Sequence, residues 1–137
     1  MVAIQRRADE HIRDLWNEVA DLKNTRSIND PDWLPLTLQN SWVVYDSTFN
    51  QPRYIRLGRV VYVQGLIKNG TTTVGTALAS LPAGYRPGHN YIFTTLANNT
   101  LVRLDVQPGG SIALGMAAPS NLFLSLDTII FPVDRTV

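Results

Sequence analysis

The chain changes its pattern at Pro31. Before it, apolar side chains recur at helical spacing among dense charge. After it, about a hundred residues form short alternating segments punctuated by Gly, Pro and Asn. Such a layout allows a helix followed by a β-rich head and little else. We expect a helical stalk over residues 1–28, a neck over 29–36 and a head over 37–137. With 137 residues and 45% apolar content, the head is large enough to bury its own core.

The first segment fits a heptad. With Ile12 and Val19 at a, Leu15 and Leu22 fall at d, Ala8 and Met1 at earlier d positions and Gln5 at an earlier a. Glu18 then sits at g and Lys23 at the following e, where opposite charges meet across a parallel pair of helices. Ala8, Ile12, Leu15, Val19 and Leu22 are therefore the expected oligomerisation residues. A helix this short needs a partner surface, either other copies of itself or its own head. By the simple rule, β-branched residues at a with Leu at d favour two strands. The Asn29-Asp30-Pro31-Asp32 run ends the helix, since Pro31 cannot continue it and biases Asp30 toward extended geometry. Trp33, Leu34 and Leu36 then form a hydrophobic collar between stalk and head.

Charge narrows the function. Residues 1–35 hold seven acids against five bases, whereas the remainder holds four acids against seven bases. Three excess positive charges spread over a head do not make the dense Lys/Arg stripe of a nucleic-acid binder. Cysteine is absent, so disulfides and thiolate metal sites are excluded. No run approaches the roughly 20 apolar residues of a membrane span, and the charged N-terminus has no signal-peptide core. We expect no membrane insertion and no secretory export.

In the head, Ser41–Tyr45, Arg53–Leu57, Arg59–Ile67, Thr71–Ala77, Tyr91–Ala97, Leu101–Val106, Ser111–Met116 and Asn121–Phe131 are rich in β-formers. Asn69-Gly70 suits a tight hairpin, and Gln107-Pro108-Gly109-Gly110 has the order of a type II turn. Around that turn Val102, Leu104, Val106, Ile112, Leu114 and Met116 share one face. Arg59–Ile67 is apolar on both faces, which requires a second sheet or another subunit. The expected class is mainly β: a parallel coiled-coil stalk on an antiparallel sandwich or barrel head.

Trp42-Val43-Val44-Tyr45, Tyr54-Ile55-Arg56 leading into Arg59–Gly65, the run Leu81-Pro82-Ala83-Gly84-Tyr85-Arg86-Pro87, Val102–Gly110 and Leu124-Ser125-Leu126-Asp127 before Ile129–Val133 occur in that order. Together they resemble the β-head of bacteriophage tail fibres and receptor-binding proteins over roughly Leu34 to Val133. The resemblance implies a homotrimer on the virion surface, made in the host cytoplasm. Its N-terminal helix would meet other virion proteins and its heads would adsorb to host-surface saccharide. A capsid decoration or head-fibre protein with a structural or weakly adhesive role is the alternative. If the chain is a complete gene product, its anchoring part is very small.

The Leu81–Pro87 run reads as a structural corner, with φ fixed by Pro82 and Pro87 and a turn at Gly84. Its other reading is a ligand site, with Tyr54, Arg56, Tyr85, Arg86, His89 and Asn90 as candidate contacts. Sugars bind aromatic faces and a few polar side chains, which Trp42, Tyr45, Phe49, Tyr54 and Tyr91 and residues such as Asn50, Arg53, Asn98 and Asn99 also offer. No catalytic residues, metal site or cofactor are expected. The head has four Asp, no Glu and no close acidic pair, and His11 and His89 lie in different modules. Polysaccharide cleavage would require carboxylates from different subunits, such as Asp46 with Asp105. Arg103 and Asp105 suit a surface ion pair, and Asp127 suits a turn partner.

Overall fold

The computed structural model describes Ile12, Arg13, residues 15–17 and residues 33–133. The chain divides into residues 1–32 and residues 33–137. In the first unit the described residues are helical, with Ile12, Leu15 and Trp16 exposed in the single chain. Ala8, Val19 and Leu22 lie outside the described residues.

β-formers broken at short intervals by Gly, Pro and Asn give short strands. In the second unit these are β1 (Leu34–Pro35), β2 (Thr37–Leu38), β3 (Val43–Val44), β4 (Arg53–Leu57), β5 (Val60–Gln64), β6 (Leu66–Lys68), β7 (Ala77–Ser80), β8 (Tyr91–Ala97), β9 (Thr100–Val106), β10 (Ser111–Leu114), β11 (Leu124–Ser125) and β12 (Ile130–Pro132). They make one sheet in the order β1-β4-β5-β12 and another in the order β2-β7-β10-β9-β8-β11-β6-β3, with antiparallel neighbours. Leu34 and Pro35, expected in the neck, already pair with Tyr54 and Arg53.

Four lines of chain pass from one sheet into the other: β1 into β2 at Leu36, β3 into β4 through residues 45–52, β5 into β6 at Gly65, and β11 into β12 through residues 126–129. Followed in this way, the strands form a circuit of β1/β2, β7, β10, β9, β8, β11/β12, β5/β6 and β3/β4, which the β1–β4 pairing closes. The head is thus the barrel form of the expected class. Closure leaves few free strand edges for unwanted pairing.

Alternation places Val102, Leu104 and Val106 of β9 and Ile112 and Leu114 of β10 in the core with Val61, Val63, Ile67, Leu78, Leu124, Leu126, Ile129 and Phe131. Each such side chain contributes roughly 1.5–3 kcal/mol on burial. Trp42 closes one end. It is 2% exposed, its indole Nε1–H donates to the Thr71 carbonyl at 3.1 Å, and its ring lies so close to Gly70 that a Cβ there would overlap it.

Several sequence expectations are corrected by this arrangement. Arg59–Ile67 is not one strand, because it bends at Gly65 (φ +140), where Pro52 leaves no room for a side chain. Val61, Val63 and Ile67 stay in the core across the bend, and of the opposite parity Leu66 is buried while Tyr62 stays exposed. Asn69-Gly70 is not a hairpin. Asn69 has the expected positive φ (+69), yet β6 lies between β11 and β3 and the chain continues to β7, between β2 and β10. Thr71–Thr76 is loop, with β7 following it. Asn121–Phe131 divides into β11 and β12 around Asp127, whose Oδ1 accepts the Gly65 N–H at 2.8 Å. The Pro108 hairpin is present, and its positive φ belongs to Gly110 (+93), the residue after a turn closed by Gly110 N–H to the Gln107 carbonyl at 2.8 Å. That is a type I turn followed by a left-handed glycine, in place of type II.

Trp42→Ala should destabilise the head by about 3–5 kcal/mol in urea unfolding. Gly70→Ala should also destabilise it, and because the two residues share one contact, the double variant should lose less than the sum of the single losses.

Candidate functional site

The Leu81–Pro87 run folds back on itself. Tyr85 N–H donates to the Pro82 carbonyl at 3.2 Å, and Leu81 N–H reaches the Gly110 carbonyl at 2.8 Å. Tyr54 of β4 meets Tyr85 edge to face, with centroids 4.9 Å apart. Arg56 Nη1 donates to the Gly84 carbonyl at 2.7 Å, and its Nε donates to Gly58 at 2.7 Å. Arg86 Nε donates to the Leu81 carbonyl at 2.8 Å and crowds Gly110, where a Cβ would meet that nitrogen at 2.7 Å.

Tyr54, Arg56, Tyr85 and Arg86 are therefore brought together, and these hydrogen bonds turn both guanidinium groups onto backbone carbonyls of the corner and the nearby Gly58 turn. Burial, helped by Tyr85, holds the Tyr54 phenol above its ordinary value. His89 and Asn90 are exposed on the segment leading into β8.

A second group surrounds Tyr45. Phe49 and Phe123 meet its ring edge to face at 5.6 and 6.3 Å, and Lys68 Nζ lies 5.4 Å from its centroid. Asp46 Oδ1 accepts the Thr48 hydroxyl at 2.7 Å and the Thr48 N–H at 2.9 Å. The hydroxyl and then the amide of Thr48 hold this exposed carboxyl below its ordinary value. Asp105 is engaged by Arg103 at 2.8 and 3.2 Å. Among the described residues, no three His, Cys, Asp or Glu side chains form a group able to hold a metal.

Sequence reasoning offered Trp42, Asn98 and Asn99 as sugar contacts without associating the loops 39–42, 69–76, 98–99 and 115–123, which hydrogen bonds join into one surface. Thr71 N–H donates to the Asn40 carbonyl (3.1 Å), Asn69 N–H to Asn121 (2.8 Å), Ala118 N–H to Thr72 (2.9 Å) and Asn98 N–H to Phe123 (3.1 Å). Asn121 Nδ2 reaches the Gly70 carbonyl at 3.1 Å. Asn98-Asn99 was legible as a turn former, but the association of the four loops depends on barrel closure, which no local pattern encodes.

The chain matches no protein-family model and no curated protein. Its structure is similar to the crystal structure of the receptor binding protein (gp15) of Listeria phage PSA, with a TM-score of 0.65 over 96% of this chain and 78% of that one, at 22% identity. The two proteins share a fold. The similarity agrees with the phage β-head that the order of motifs in the sequence resembles.

Two titrations test the local geometry. The Asp46 carboxyl should titrate below 3.8 by NMR, and Thr48→Ala should return it toward that value. Since its folded pKa is the lower one, its stabilising contribution is present above the unfolded pKa and lost as pH falls through the folded pKa. Tyr54 should ionise above 10.0 in an ultraviolet titration; the unfolded chain then ionises first as pH rises, and stability declines there.

Proposed function

We propose that this chain is a phage receptor-binding protein, displayed on the virion surface as a homotrimer whose heads adsorb to host-surface saccharide. The observation that carries this proposal is the fold shared with a phage receptor binding protein over 96% of the chain. The exposed Ile12 and Leu15 support self-association, because they occupy adjacent a and d positions of the heptad. Attachment of the N-terminal helix to other virion proteins completes the proposal. Weak binding at one head is then multiplied by the number of heads that engage a wall together.

Imaging virions labelled against this chain should place it at the tail tip. Label over the capsid would instead establish the decoration role. In solution the chain should have the mass of a trimer, and Ile12→Asp with Leu15→Asp should release folded monomers. A monomeric wild type at micromolar concentration would overturn the trimer.

A further inference from the structure

The two ends of the barrel differ in chemistry. The chain comes into the head at Trp33 and runs through β1 and β2 toward the far end, and the antiparallel circuit fixes where every later loop falls. The Gly58-Arg59 turn and residues 81–90 and 107–110 lie at the near end, while residues 39–42, 69–76, 98–99 and 115–123 lie at the far end. The near end carries Arg59, Arg86 and His89, with Arg56 beside them, and its loops hold no acid. The far-end loops contain no Asp, Glu, Lys, Arg or His. They are rich in Asn, Ser, Thr and Gly, with Val74, Met116 and Leu122 exposed at 60%, 46% and 61%.

Backbone strain gathers at the same end. Among the described residues, the non-glycine positions with positive φ are Asn40, Ser41, Asn69, Asn98 and Asn99, all in these loops. Glycine would adopt such angles at lower cost, so a side chain kept there is retained against a conformational penalty. Such strain persists where the surrounding structure imposes it, and it clusters at sites that bind. Asn40 uses its amide on the Ala77 carbonyl. The amides of Asn69, Asn98 and Asn99 make no hydrogen bond to another described residue.

We propose that this far-end surface is the saccharide site and that its ligand is an uncharged sugar. The proposal deepens the receptor-binding reading and rests on it. A sugar hydroxyl both donates and accepts, as a carboxamide does, while the C–H face of a sugar ring suits exposed aliphatic side chains. An anionic polymer backbone would call for cations within these loops, which have none; the two that flank them, Lys68 and Arg103, are engaged by the Tyr45 ring and the Asp105 carboxylate. The hydrogen bonds between loops fix the backbone that carries these amides before binding, which lowers the entropy lost when ligand arrives.

The test is binding of the full chain to cell-wall polysaccharide purified from the strain on which the virus plaques. Wild type should bind, with little change as NaCl rises from about 0.05 M to about 1 M, where charge interactions are screened. The triple variant Asn69→Gly, Asn98→Gly, Asn99→Gly keeps residues suited to positive φ. It should lose about tenfold or more in affinity, as expected for two or three lost hydrogen bonds, with an unchanged melting temperature. Undiminished binding by that variant, or loss of binding on His89→Ala instead, would overturn the site. Affinity that collapses with salt would overturn the uncharged ligand. Absence of wall binding by the wild type would overturn this site and saccharide adsorption together.

Discussion

The pairing of β1 with β4 is the constraint on which the rest of the head depends. Two register positions, Leu34 opposite Tyr54 and Pro35 opposite Arg53, join the first strand line to the last and complete the circuit. Once it is complete, every strand line has neighbours on both sides and the interior faces converge on one core. The loops at each end are then gathered into two opposed surfaces. Arg53 reinforces the seam: its guanidinium lies 4.5 Å from the Trp33 ring centroid and its Nε bonds to Gln64 at 3.1 Å. Residues that looked like a linker in the sequence thus belong to the barrel.

What the sequence disclosed was local. A content of β-forming residues identified β4 and β8, and alternation about a nearby turn identified the β9–β10 hairpin. Paired asparagines marked the β8–β9 turn, where Asn98 and Asn99 both take positive φ. Long-range contacts were not legible. Gly70 looked like half of a hairpin turn, when the lack of a side chain is required by Trp42, far from it in sequence. Gly65 was hidden inside an apolar run, because a bend that moves a strand between sheets has no signature separate from the glycine itself. The sequence marks Asp127 as a partner for a turn, and the turn it holds is that same bend.

The candidate site divides in the same way. The motif most prominent in sequence, Leu81–Pro87, has much of its polar equipment occupied by its own backbone, and this accounts for its combination of Pro, Gly and Arg. The far-end surface is assembled from four separated segments, none distinctive alone. Prominence in sequence here follows the demands of a tight corner. A surface collected by topology leaves only scattered asparagines and threonines as its trace.

The stitching of the far-end loops has a consequence for variation. Residues 69–72 bond to both the 39–42 and the 115–123 segments, and the latter bonds in turn to Asn98. Inserting or deleting a residue in one loop would disturb its neighbours, whereas exchanging an exposed side chain such as Val74, Met116 or Leu122 would leave the backbone bonds intact. A head built this way would diversify by replacing letters on a fixed frame, with loop length held nearly constant from one lineage to the next.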